Sequence, residues 1–466
     1  MKKIALLLIL AVSSQLFYSC RKTKVDPEIE ILNEWIWDVM NEIYLWEAEI
    51  DNTLYPTEME DPEEFFYSIL YSEDKFSWIV DDYEELINSF NNVEVASGIS
   101  PYFIGIYGSE QVVIIVEYVV PGSPADAAGI ERGDIIYSIN DTEINRSNYL
   151  DLFYSEVMKL GFADYVEGSG ITPSSREVSV TAEIIEENPV LYSEIIQYLD
   201  TDIGYLVYTG FSTGEDNKWI DSLDIALEGF MDQGIDELII DLRYNPGGYV
   251  YAAQHLATVL GPADLYDNGN VFVNYEWNDL YQQYFLQQEG NDSPNLVIPF
   301  ADSTELNMNL QRVYFLTSGH SASASELTII GLKPYMDVKQ IGEYTYGKCY
   351  GSVTIPDTEE PARHTWAMQP IVFKYSNSNG YTDFTSGLTP DVEVEDNLLD
   401  AKAFGDLQDP ILAAALEDIT GVSPISVKKS LAPDQDMIFD RMPDPVRELR
   451  SVSIHNLSSF PAIIKE

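Results

Sequence analysis

The chain has 466 residues, 45% of them apolar, with 31 Tyr, 19 Phe and 7 Trp, so it can bury a sizeable core, and its length suits about three units of ordinary domain size. Asp and Glu number 78 against 25 Lys and Arg, a formal net charge of −53. A surface this acidic, with no basic stripe to offset it, argues against nucleic acid as a partner and disfavours unassisted docking on anionic membranes.

The first twenty residues read as an export signal. Lys2 and Lys3 supply the positive start, and Ile4 to Leu16 form an apolar stretch too short to span a membrane comfortably. The stretch ends in Leu16-Phe17-Tyr18-Ser19-Cys20, similar to a bacterial lipobox, which makes Cys20 the expected lipidation site. The expectation is an exported protein of the bacterial cell envelope, lipid-anchored and facing the periplasm; simple cleavage near the same place is the plainer alternative. The second cysteine, Cys349, then has no intramolecular partner, so no disulfide framework is expected. Four scattered histidines, at 255, 320, 364 and 455, do not make a Cys/His metal site, and none is expected.

Residues 28–91 read as a helical N-terminal region. Ile29, Ile31, Leu32, Trp35, Ile36, Val39, Met40 and Ile43 recur at three- and four-residue spacing and form one apolar stripe. A second helix is predicted from Asp61 as N-cap, Pro62 as the first helical residue, and Glu63 and Glu64 at the positive end of the helix dipole. From residue 94 the pattern turns to short β segments, Tyr102 to Tyr107 and Val112 to Val119. Then comes Val120-Pro-Gly-Ser-Pro-Ala-Asp-Ala-Ala-Gly-Ile130 and Arg132-Gly-Asp-Ile-Ile-Tyr-Ser-Ile-Asn140: a turn, a short helix stopped by Gly129, a tight turn at Gly133 and a strand. This order resembles a PDZ domain, assigned to residues 94–185. Such a domain adds an extended peptide as a strand beside its sheet. The resemblance places the carboxylate-binding loop at Tyr102, Phe103, Ile104 and Gly105.

Residues 190–420 alternate strand and helix, as α/β folds with crossover connections do. Predicted strands are Ile203–Tyr208, Glu237–Leu242 and Val313–Thr317; predicted helices run over 217–232, up to Leu260, and over 323–332. Residues 264–310 form a polar insertion and 421–466 a tail with mixed signals; the pattern gives neither a path.

The chemistry concentrates in three stretches. Ser318-Gly-His-Ser-Ala-Ser-Ala-Ser-Glu-Leu327 runs from a strand into a helix, so Ser323 stands at a positively polarised helix N-terminus, which suits an oxyanion. Taken alone, Ser323-x-x-Glu326 is also an ordinary capping box. Gly342-Glu-Tyr-Thr-Tyr-Gly-Lys348 places one lysine in a glycine-flanked turn among apolar residues, where burial favours the neutral amine that a base must be. Asp241-Leu-Arg-Tyr-Asn-Pro-Gly-Gly248 ends a strand in two glycines whose backbone can approach a ligand closely.

In this order the three stretches resemble the C-terminal processing peptidases, or tail-specific proteases. The resemblance implies a multidomain α/β and β architecture: a helical N-terminal region, a PDZ domain and a catalytic domain of the crotonase/ClpP type. It implies a serine endopeptidase with Ser323 as nucleophile, Lys348 as general base, and an oxyanion hole from the amide of Gly247 or Gly248 with that of Ala324. It also implies polypeptide substrates engaged through their C-terminal tails, and no metal or cofactor. Gly387-Leu-Thr-Pro-Asp-Val-Glu393 matches the family's closing strand. One departure stands out: the family often places a lysine-orienting glutamine four residues beyond the lysine, and here that position is Ser352. Two alternatives stay open, a catalytically decayed peptide-binding scaffold and a self-processing enzyme whose insertion or tail occupies the cleft. His320 is expected to line the cleft or cap backbone groups rather than act as base, and Cys349 is not expected to be the nucleophile.

Overall fold

The structure, a computed structural model, describes residues 25–166, 169–301, 306–425, 439–444 and 453–455. The export signal and Cys20 lie outside the described residues.

Two compact units divide the chain, the first comprising Met1–Glu42 and Trp46–Lys75. Its described part is built on the helix Pro27–Ile43, whose stripe buries Leu32, Trp35, Ile36 and Met40. Asn33, buried on the same helix, donates through Nδ2 to the carbonyls of Pro56 and Met59, 2.9 Å each, and so ties down the irregular segment that follows. Asp61 caps the helix Pro62–Ser68 by accepting from the N–H groups of Glu63 and Glu64.

The second unit comprises Ile43–Leu45 and Phe76–Glu466. It opens with the strand Trp78–Val80 and the helix Tyr83–Phe90, so a strand interrupts the region whose spacing reads as helical. The strand pairs with Ala367–Gln369, far along the sequence, and such pairing leaves no local periodicity.

Next comes an antiparallel sheet of Ile99–Ile106, Val112–Val119, Ile135–Ile139, Val157–Val166 and Gly170–Thr181, in that spatial order. Val112–Val119 is a continuous apolar run because both of its faces are covered. Val112, Ile114 and Val116 point into the domain's own core with Phe103, Ile136 and Leu160. Val113, Ile115 and Tyr118 point the other way and pack with Tyr244 and Leu398 of the following domain. The sheet is therefore docked on its neighbour through an apolar face.

The remaining domain holds two six-stranded sheets. In the first, Val190–Tyr198 pairs antiparallel with Thr201–Tyr208, and Glu237–Asp241, Arg312–Thr317, Asp337–Gly342 and Val392–Glu393 follow in parallel. The second runs Gly248–Tyr249, Ser453–His455, Tyr350–Val353, Ile371–Asn377, Val271–Trp277 and Val297–Pro299. The polar insertion at 264–310 thus supplies two strands of the second sheet and the helix Asp279–Gln288. The helix Ala324–Leu332, every residue of which is buried, packs on the strands Val271–Trp277 and Ile371–Asn377 of the second sheet.

Candidate active site

The site begins where the parallel strand Glu237–Asp241 ends. Arg243, fully buried, turns back so that its guanidinium meets the Asp241 carboxylate at 2.7 Å, Asp409 at 2.9 Å and Asp396 at 3.1 Å. Arg132, from the antiparallel sheet, reaches Asp396 at 3.4 Å and donates to the Tyr244 hydroxyl and the Glu117 carbonyl. Burial opposes ionisation of Asp396, but the two guanidinium groups outweigh it and hold its carboxyl below the ordinary value. Removing one partner from such a network leaves a buried charge uncompensated, at a cost of about 3–5 kcal/mol. These ion pairs fix the base of the turn Leu242–Gly248.

Asn245 shapes the top of the turn. Its Nδ2 donates to the Tyr208 carbonyl at 2.9 Å, and its Oδ1 accepts from the N–H of Gly247 at 2.9 Å. Gly247 and Gly248 have φ of +111° and +136°, a region open to glycine. A Cβ on Gly247 would stand 2.7 Å from the Cβ of Ser323, so the turn and the serine loop are in direct contact there.

The serine loop is stitched to this turn by its own hydroxyls. Ser318 Oγ donates to the Arg243 carbonyl, Ser321 Oγ to that of Leu242 at 2.7 Å, and Ser325 Oγ to that of Asn245 at 3.1 Å. Ser323 differs from these three in its backbone. It takes φ +59° and ψ −112° immediately before the helix Ala324–Leu332, a conformation that costs a non-glycine residue about 1–3 kcal/mol. Such strain persists only where the surroundings impose it, and here Glu326 does so.

Glu326 is fully buried and accepts four hydrogen bonds. Its Oε2 takes the N–H of Ser323 at 2.8 Å and the N–H of Lys348 at 2.9 Å; its Oε1 takes the N–H of Gly347 at 2.7 Å and the Thr345 hydroxyl at 2.5 Å. One carboxylate oxygen therefore holds the backbones of Ser323 and Lys348 together. Burial raises the Glu326 carboxyl to about 7 although all four donors lower it. Tyr375 makes a second bridge, its hydroxyl donating to the carbonyls of Ser323 at 3.2 Å and Lys348 at 2.5 Å. Lys348 is 1% exposed, with Nζ 5.3 Å from the centre of the Phe76 ring.

A glycine-rich turn, a strained serine before a buried helix and a buried lysine now stand in one place. Comparison with known proteins gives the chain its relatives. Residues 202–394 match the profile of peptidase family S41, residues 32–78 that of the peptidase S41 N-terminal domain, and residues 115–155 that of a PDZ domain. The chain carries a peptidase family S41 domain. A carboxyl-terminal-processing protease of Picosynechococcus sp. is 26% identical over 305 residues, which cover 65% of each chain. A CtpA-like serine protease of Staphylococcus epidermidis is 24% identical over 318 residues, 67% of this chain and 58% of that one, so the match spans somewhat over half the length of these relatives. A solved S41 protein from Bacteroides fragilis NCTC 9343 superposes with a TM-score of 0.67 at 27% identity, covering 84% of this chain and 97% of that one.

Within the S41 framework the structure refines several sequence expectations. The N–H of Gly247 is engaged by Asn245, whereas no side chain of that turn takes the N–H of Gly248. Ala324 opens its helix, where first-turn N–H groups lack an intrahelical acceptor. Tyr102, Phe103, Ile104 and Gly105 do not form a loop: all four lie within the strand Ile99–Ile106, where they pair antiparallel with Ile115, Ile114, Val113 and Val112. His320 turns from Ser323 toward the PDZ domain, with Nδ1 3.2 Å from Glu117 and its ring against Tyr102. Cys349 is buried, and burial pushes its thiol up, away from the reactive thiolate. Ser352 is buried and accepts from Nε2 of Gln369 at 3.2 Å, so a glutamine does reach this position, from the strand Ala367–Gln369. Sequence reading left out Tyr375 and Gln369, which carry no motif, and recognised Glu326 only as a helix cap.

Proposed function

We propose that this S41 chain is an exported serine endopeptidase that cleaves polypeptides near their C-terminal tails through a Ser323/Lys348 dyad. The observation that carries this reading is the grip of Glu326 Oε2 on the N–H groups of both residues, which fixes nucleophile and base on one buried atom. In the proposed reaction neutral Lys348 takes the proton of Ser323 Oγ as that oxygen attacks the scissile carbonyl. The N–H groups of Gly248 and Ala324 hold the oxyanion. Lys348 then returns the proton to the departing amine, leaving an acyl-enzyme, and water repeats the sequence to release the acid and restore the serine. Gln369, hydrogen-bonded to Ser352, takes the place of the family's lysine-orienting glutamine. The PDZ domain presents the substrate tail, and no metal or cofactor enters any step.

The test compares protein lacking residues 1–20 with its Ser323→Ala and Lys348→Ala variants. Each is incubated with an unfolded polypeptide between about pH 6 and pH 10, the range for a buried lysine base. Cleavage by the parent alone, rising with pH, is expected; absence of cleavage by all three would favour the decayed scaffold. Export and anchoring through Cys20 are tested separately: Cys20→Ser should move the protein from the membrane fraction to the soluble fraction.

A further inference from the structure

Two short pieces of the tail are strands in sheets that belong to other parts of the molecule. Phe439–Arg441 adds to the outer edge of the PDZ sheet, antiparallel to Ile104–Ile106, with the N–H of Met442 donating to the Phe103 carbonyl at 3.0 Å. This is the edge on which a PDZ domain takes an extended peptide. Side chains secure it. Arg146 meets Asp440 at 2.9 Å, Tyr149 donates to the Pro443 carbonyl at 2.9 Å, and Tyr154 donates to the Asp444 carboxylate at 2.8 Å. Met442 packs on the PDZ core beside Phe103 and Tyr149, and Asp444 is buried.

The second piece, Ser453–His455, lies inside the active site. It pairs in parallel on one side with Gly248–Tyr249 and on the other with Ser352–Val353, the strand that follows Lys348. Those two flanking strands do not pair with each other. They are separated by one strand's width on each side of the tail, about 9–10 Å in all, so the slot takes a single extended peptide. Phe211 occupies the other edge of the glycine turn, accepting from the N–H of Tyr249 and donating to the carbonyl of Gly247. By strand alternation the N–H and C=O of Gly248 face the tail. The tail thus lies on the same amide assigned to the oxyanion. A cleft of about 920 Å³ joins the two places, lined by Tyr154 and Asp444 at one end and by Gly247, Gly248 and Tyr249 at the other.

We propose that the tail is an internal ligand of this peptidase, with Phe439–Asp444 filling the PDZ peptide edge and Ser453–His455 filling the substrate strand of the cleft. Incoming polypeptides compete with it, and the free enzyme is self-occupied. The cleft half of this inference rests on the proposed peptidase reading; the PDZ half does not.

The experiment uses the full mature chain carrying Ser323→Ala and measures binding of a fluorescent peptide of residues 439–455. Two releasing variants are compared with it: Met442→Lys with Asp444→Lys at the PDZ end, and Ile454→Pro, which removes a backbone donor from the cleft strand. Each releasing variant should bind the peptide at least tenfold more tightly than the unreleased chain. With Ser323 restored, each should lower KM for an unfolded polypeptide at least tenfold and leave kcat unchanged. Equal peptide affinity in all three chains, or no binding to any, overturns the proposal. Tighter peptide binding without any hydrolysis would uphold the occupied PDZ edge and sink the catalytic reading instead, so the two failures are distinguishable.

Discussion

The serine loop and the PDZ edge are both places where the chain must hold an extended backbone in position, and they do it by opposite means. Around Ser323 nearly every constraint is a buried side chain acting on a backbone group: Ser318, Ser321 and Ser325 on the turn carbonyls, Asn245 on Gly247, Glu326 on Ser323 and Lys348. At the PDZ edge the strand Ile99–Ile106 offers mainly its own N–H and C=O groups, with Arg146, Tyr149 and Tyr154 as clamps. The first arrangement tolerates few substitutions, because removing a partner strands a buried polar group at about 1–3 kcal/mol. The second accepts many sequences, because strand addition asks little of the side chains. Chemistry needs the rigid kind of site, and recognition of varied tails suits the permissive kind.

Four changes would break or sharpen that contrast. Ser323→Ala or Lys348→Ala should lower turnover on the order of 10⁴-fold or more, with a melting temperature close to the parent's. Mass spectrometry of a digested polypeptide and a thermal melt check both halves of that statement. Gly247→Ala comes next. It forces an L side chain to φ +111° and drives a Cβ to 2.7 Å from that of Ser323, so activity should fall about 10²–10³-fold and stability by about 1–3 kcal/mol. A fall in stability without a fall in kcat would show that the turn does not set the serine.

Glu326→Gln should reduce kcat on the order of tenfold at pH 8, because an amide cannot accept all four donors. The pH dependence has a definite sign. The Glu326 carboxyl is raised from 4.5 to about 7, so its contribution to stability is present below about pH 4.5 and is lost as pH rises through 7. Urea denaturation between pH 4 and pH 8 should show that slope in the parent and not in Glu326→Gln. Activity moves the other way: as pH falls through 7 the carboxyl takes a proton, one N–H loses its acceptor, and turnover drops. Gln369→Ala should have the smallest effect, about a threefold loss of kcat with KM unchanged; a change in KM alone would remove Gln369 from any role in placing Lys348.

The motifs around Ser323, Lys348 and Gly247–Gly248 were legible because each demands particular residue types over a few consecutive positions: small residues beside the serine, glycines at positive φ, a serine three residues before Glu326. The helix stripe from Ile29 to Ile43 was legible for the same reason, since most of its members recur along one face; Ile31 falls outside that face and is exposed. Gln369 and Tyr375 were not, because each meets its partner across a strand pair whose register no local pattern encodes. The insertion at 264–310 was opaque because its strands are completed by Ile371–Asn377, about a hundred residues away.

By itself, then, the sequence determined which residues could do chemistry and in what order the segments come, since propensity, turn geometry and charge act over short distances. The tertiary structure alone decided that one carboxylate oxygen joins Ser323 to Lys348, that Gly247 is already engaged while Gly248 faces the cleft, and that the tail pairs with the PDZ edge and the catalytic strands. Each is a contact between segments far apart along the chain, fixed by burial and strand pairing.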